Sequence, residues 1–89
     1  MIHRMLDENR FREILSKVRD ATDVLVVREG SKLIGVVVSP AFAGKEEHER
    51  QTEVWSLLLG SLTDDEQAQI GFVFTNTPEE REHAQAQGA

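Results

Sequence analysis

At 89 residues and 10.0 kDa, the chain falls below the ~100–200 residues of a typical domain, which bounds it to one compact unit with no separate substrate-binding lobe. No cysteine is present; disulfides, cysteine zinc sites, thiol nucleophiles and an all-thiolate iron-sulfur site built from this chain alone are therefore excluded. Sixteen acids against ten bases leave a net charge of -6, with ten acids and three bases in residues 45–89, a balance that disfavours duplex nucleic acid as a constitutive partner.

Leu6, Phe11, Ile14, Leu15 and Val18 follow helical spacing, so residues 5–19 read as an amphipathic helix. The β-branched runs Val24 to Arg28 and Lys32 to Val38 read as two strands of an antiparallel hairpin around a tight Glu29-Gly30-Ser31 turn. Ser39-Pro40 stops the second strand, because proline cannot donate to a ladder. Ala41 to Gly44 read as a loop. A second helix follows from about Lys45 to Gly60, with acids at its start and Gly60 as its C-cap. Trp55, Leu58, Leu59 and Leu62 are expected to meet the sheet. Thr63 and Glu66 match a capping box for a short third helix through about Gln69. Ile70, Phe72 and Phe74 alternate with Gly71 and Val73 in a third strand, and Thr77-Pro78-Glu79-Glu80 opens a short fourth helix running to about Gln85.

The order α-β-β-α-α-β-α predicts an α+β sandwich, a three-stranded mixed sheet with helices on one face. A single domain over 1–89 is expected, its ordered core at about 5–76 and a short C-terminal helix and tail at 77–89. No apolar run approaches the ~18–20 residues that span a bilayer, and the start MIHRMLDENR has no signal-like stretch, so a soluble, cytoplasmic chain is expected.

Little catalytic chemistry is written in the chain. His3 and His83 read as solvated terminal residues. His48 stands beside Glu47 and Glu49 without a second histidine or cysteine at metal-ligand spacing, which makes it a weak metal candidate. The acid clusters Glu46-Glu47-Glu49 and Asp64-Asp65-Glu66 lack the glycine-centred spacing of a calcium loop. No serine lies in a nucleophile elbow, and no glycine-rich phosphate loop occurs. An enzyme is not expected.

The segment VVVSPAFAGKEEHER, placed between a hairpin and a long helix, carries Phe42-x-Gly44, Glu49-Arg50, an apolar Val54 four residues on, and a closing strand followed by Thr-Asn-Thr-Pro-Glu-Glu. In these features, over roughly residues 6–82, the chain resembles the BolA family, whose α-β-β-α-α-β fold is similar to a type II KH domain. The resemblance implies a non-enzymatic adapter or regulator that pairs with a monothiol glutaredoxin, or another iron-sulfur assembly or iron-regulation protein, around a shared [2Fe-2S] cluster. It also implies that Phe42, Gly44, Lys45, Glu49 and Arg50 bind the partner. Two departures stand out. After Glu49-Arg50 the family continues with His-Arg, where this chain has Gln51-Thr52; and the family's longer, ligand-bearing first hairpin loop is here a tight turn. No cofactor of the chain's own is expected. Two alternatives accompany the adapter reading: a nucleic-acid-binding transcriptional regulator using Lys17, Arg19, Lys45 or Arg50, disfavoured by charge and by the lack of a Gly-x-x-Gly loop, and a divergent interaction module without metal chemistry. A monomer or weak homodimer is expected.

Overall fold

The computed structural model describes residues 5–87, with side chains as far as 84; His3 lies outside the described residues. The elements in chain order are α1 (Glu8–Leu15), β1 (Asp23–Glu29), β2 (Lys32–Val38), a 3-10 turn (Pro40–Phe42), α2 (Glu47–Ser61), α3 (Asp64–Gln67), β3 (Ile70–Asn76) and α4 (Pro78–Gln87). The sheet order is β1-β2-β3, with β1 antiparallel and β3 parallel to β2. A hairpin and a crossover through α2 and α3 thus form the expected α+β architecture.

α1 is shorter than the periodicity suggests. Asp7 caps it, its carboxylate accepting from the Asn9 N–H at 3.1 Å, and the chain leaves the helix after Leu15. Tight turns follow, ending at Asp20 in the left-handed region with φ 58°, a conformation that aspartate tolerates better than most residues. Val18 is buried all the same. Glu29 pairs with Lys32, so the hairpin turn is the two residues Gly30 and Ser31; Gly30 supplies the positive φ, 63°. α2 runs through Gly60 to Ser61 and is capped by Leu62 rather than by the glycine. α3 starts on the expected capping box, with Thr63 and Glu66 exchanging backbone and side-chain bonds.

α1 and α2 lie together on one face of the sheet. The core is built from Leu6, Phe11, Ile14, Leu15 and Val18 on the α1 side, Val54, Leu58 and Leu62 on the α2 side, and Leu33, Val37, Ile70 and Val73 from the strands, with Phe42 between them. Trp55 is half-buried at its margin, while Leu59 is 58% exposed and does not meet the sheet. Helix α1 approaches β2 at Gly35, where an added Cβ would stand 2.7 Å from Leu15 Cδ1 and 3.2 Å from the Phe11 ring.

The third strand does not alternate as its sequence suggests. Leu33 pairs with Ile70 but Ile34 pairs with Phe72, which leaves Gly71 as the extra residue of a β-bulge. Ile70 therefore faces the core with Val73 and Thr75, and Phe72 and Phe74 face away, 45% and 50% exposed. A Cβ at position 71 would sit 2.9 Å from Ile34 Cδ1 and 3.2 Å from Lys32 Cβ, so glycine lets these two side chains pack closely over the bulge. Two other positions differ in tolerance. Gly35→Ala is expected to destabilise the fold by about 1–3 kcal/mol through overpacking. Gly60→Ala, within a helix and with nothing inside 4 Å, is expected to be neutral or stabilising by a few tenths to about 1 kcal/mol. Urea denaturation of both variants checks the contrast.

Candidate functional site

The motif between β2 and α2 is a folded corner. Ser39 is fully buried: its N–H donates to the Asn76 carbonyl at 2.9 Å, its hydroxyl donates to the Arg19 carbonyl at 2.6 Å and accepts from the Ala41 N–H at 3.0 Å. Pro40 opens the 3-10 turn, its fixed φ suiting a first helical position. The turn delivers Phe42 into the core at 0% exposure. The family resemblance places Phe42 among the partner-binding residues; completely buried, it has no surface to offer a partner, and its role in this chain is to anchor the corner. Gly44 follows at φ 78° with nothing within 4 Å of where a Cβ would be, so backbone conformation, not space, selects glycine.

Arg50 closes the corner from α2. Its Nε donates to the Lys45 carbonyl at 3.0 Å, and one terminal nitrogen donates to the Thr75 carbonyl at 3.2 Å. The two terminal nitrogens grip Glu80 of α4 at 2.7 and 3.2 Å, and the guanidinium carbon lies 5.8 Å from the Phe42 ring centroid. Only 8% of Arg50 is exposed, so it too is an internal tie and cannot reach a partner as a free charge. Glu80 also accepts from the Thr77 N–H at 2.8 Å while Thr77 Oγ1 accepts from the Glu80 N–H at 3.1 Å, the capping box that starts α4. Arg50 first, then the Thr77 backbone bond, hold the Glu80 carboxyl below its ordinary range; bonding to Glu80 in turn raises the already high pKa of Arg50.

Next to this tie, Glu47 Oε1 accepts from both Gln51 Nε2 and Thr75 Oγ1 at 2.9 Å, and Gln51 Nε2 also donates to the Val73 carbonyl at 2.8 Å. Gln51 thus faces β3, and its amide joins α2 to that strand. Lys45 is half-buried and paired with Glu53 at 2.8 Å; Arg19 approaches the same carboxylate at 3.6 Å. Along the corner, Pro40, Ala43, Gly44, Glu46, Glu47, His48 and Glu49 remain exposed to solvent. His48 Nδ1 lies 3.4 Å from Glu46 Oε2, and ligand atoms of Glu46, His48 and Glu49 come within 4.8 Å of one another on an exposed helix start. The terminal-looking His83 is exposed on α4.

The fold as a whole has counterparts among solved structures. A Bol-like protein from Babesia bovis matches with a TM-score of 0.66 and 23% identity over 94% of this chain and 99% of that one. A BolA homologue from Coxiella burnetii matches with a TM-score of 0.67 and 21% identity over 88% and 99%. The chain is BolA-like in fold. The BolA domain of SufE1 from Arabidopsis thaliana, 25% identical with a TM-score of 0.61 over 82% and 93%, extends the likeness to a domain carried within another protein. No family model and no curated protein matches the sequence. In this BolA-like fold, Phe42, Gly44 and Arg50 maintain the corner, and the surface they leave exposed is acidic.

Sequence reasoning misses Glu80, Thr75 and Ser39 as members of this assembly. The capping pattern Thr77-Pro78-Glu79-Glu80 marks Glu80 only as a cap, and no local signal announces a partner thirty residues away. Arg50→Ala removes a buried cation and leaves the Lys45 and Thr75 carbonyls and the Glu80 carboxylate without it. It is expected to cost about 2–4 kcal/mol. Because the Glu80 pKa is depressed by folding, its contribution is complete above the unfolded carboxylate value of about 4.3 and is lost as pH falls through the lower folded value. Denaturant midpoints measured from about pH 6 to about pH 3 are expected to fall more steeply in the wild type than in Glu80→Gln.

Proposed function

We propose that this chain is a divergent, non-enzymatic BolA-family adapter that presents the exposed rim of the corner, Gly44, Glu46, His48 and Glu49, to a protein partner. The supporting observation is the Arg50 assembly: it fixes the loop and the start of α2 against β3 and α4, so the rim is offered in one conformation and little ordering entropy remains to oppose binding. A monothiol glutaredoxin, or another iron-sulfur assembly or iron-regulation protein, is the partner class that the family resemblance suggests. Lys45, already held by Glu53, contributes at the margin. Titration calorimetry with a monothiol glutaredoxin tests this reading: a complex with micromolar affinity is expected, weakened at least tenfold by Glu49→Lys with the fold retained. No complex at micromolar concentrations overturns it.

Metal chemistry through the family's ligand position is not part of this proposal. The donor set does not suit a cluster iron: a glutamine amide is a neutral, hard ligand, where imidazole or thiolate is wanted, and the Gln51 nitrogen is already engaged with Glu47 and Val73. The two-residue turn between β1 and β2 brings no histidine or cysteine to the site. Anaerobic mixing with iron, sulfide, glutathione and a monothiol glutaredoxin is expected to give a visible spectrum that this chain leaves unchanged. A spectrum altered by the chain and restored in His48→Ala would assign a ligand role to His48 instead.

Nucleic-acid binding finds less support. Arg50 is enclosed, and Lys45 and Arg19 both lie against Glu53.

A further inference from the structure

The face of the sheet opposite α1 and α2 is apolar and open. Val24, Val26, Leu33, Val37 and Val73 point into the core, so by strand alternation their neighbours point outward. The register arranges those neighbours in two rows across the strands, Leu25–Val36–Phe74 and Val27–Ile34–Phe72. Leu25 is 39% exposed and Val27 56%, Phe72 and Phe74 are about half exposed, and Ile34 and Val36 are half-buried between them. The Gly71 bulge is what puts both phenylalanines on this side, and their rings pack edge to face with centroids 4.7 Å apart.

We propose that this face is the interface of a symmetric homodimer, in which the open sheet of one copy packs on the open sheet of a second. Size is the first argument. Taking roughly 200 Å² for a phenylalanine and roughly 150 Å² for an aliphatic residue, the six side chains present about 400 Å² of apolar surface per copy. Two such patches laid together bury about 800 Å² of apolar surface, the scale of a weak, reversible association rather than of an obligate interface.

Shape is the second argument. The aromatic pair forms a ridge along β3 at one edge, while β1 at the other edge carries only Leu25 and Val27. A two-fold axis parallel to the strands and centred on β2 lays each ridge over the low aliphatic edge of the other copy, which makes the face complementary to itself. The same rotation carries Asp23, at the end of β1, toward Asn76 at the corresponding end of β3 in the second copy.

Charge decides against a stacked single-stranded nucleic acid as occupant. The ends of β1 on this face are Asp23 and Glu29, with Lys32 beside Glu29, and the chain as a whole is at -6. Phosphates are repelled by such a rim, whereas two like-charged copies joined through apolar surface associate better as salt screens their repulsion.

Sedimentation velocity from roughly 1 to 500 μM chain tests the proposal. A reversible monomer–dimer equilibrium is expected, held or tightened between about 50 and about 500 mM salt and weakened at least tenfold in Phe74→Glu. Leu59→Glu, at an exposed α2 position away from the sheet, should associate like the wild type, and circular dichroism should show all three chains equally folded. Association that persists unchanged in Phe74→Glu overturns the proposal, as does a monomer throughout the range. So does a labelled single-stranded oligonucleotide that binds the wild type, dissociates with salt and is lost in Phe74→Glu.

Discussion

A single cation, Arg50, holds together the corner between β2 and α2, the end of β3 and the start of α4. Its guanidinium is nearly withdrawn from water yet reaches the Lys45 carbonyl, the Thr75 carbonyl and the Glu80 carboxylate. Withdrawing such a charge is costly unless nearly every donor is matched, and here loop, strand and terminal helix each provide acceptors. The loop that follows β2, the carboxyl end of β3 and the start of α4 therefore have to arrive together. Ser39 serves the same corner from the other side by joining β2 to the turn after α1 and to Asn76. The rest of the site, including the exposed acids around His48, is positioned by these two buried polar groups rather than by contacts of its own.

The BolA-like likeness gains a physical meaning from this arrangement. Phe42, Gly44 and Arg50 look like a recognition motif when read as a string, but each has a structural role: Phe42 anchors the corner, Gly44 makes the left-handed turn and Arg50 is the buried tie. The position next to Arg50 is where this chain departs from the family pattern, and Gln51 there serves to staple α2 to β3 through Val73 and Glu47. An amide does this well, since it donates two bonds without charge.

Most of the fold is legible in the sequence because it rests on local rules. The hairpin follows from β-branched runs around a glycine, α3 and α4 from capping boxes, and α1 from the spacing of Phe11, Ile14 and Leu15. Where the reading fails, the cause is long-range. The Gly71 bulge cannot be seen in Ile70, Phe72 and Phe74, whose strict alternation points to one shared face; only pairing with Leu33 and Ile34 shows that one of the three turns inward. Gly60 looks like a C-cap, but the helix continues through it because Leu58 and Leu62 on either side both reach the core. Arg50 reads as an accessible basic residue because its acceptors lie as far off as Thr75 and Glu80, well outside any local window.

The two-residue turn at Gly30-Ser31 also bears on the order of events in folding. With so little chain to close, β1 and β2 can pair early, and α1 is near enough in sequence to settle on Gly35 soon after. The parallel strand β3 has to wait for the whole crossover from Ser39 to Gln69, because closing that larger loop loses entropy before any ladder bond is gained. Folding is thus expected to finish where Arg50 finds Thr75 and Glu80, and the exposed rim around His48 takes its final shape only with that last step.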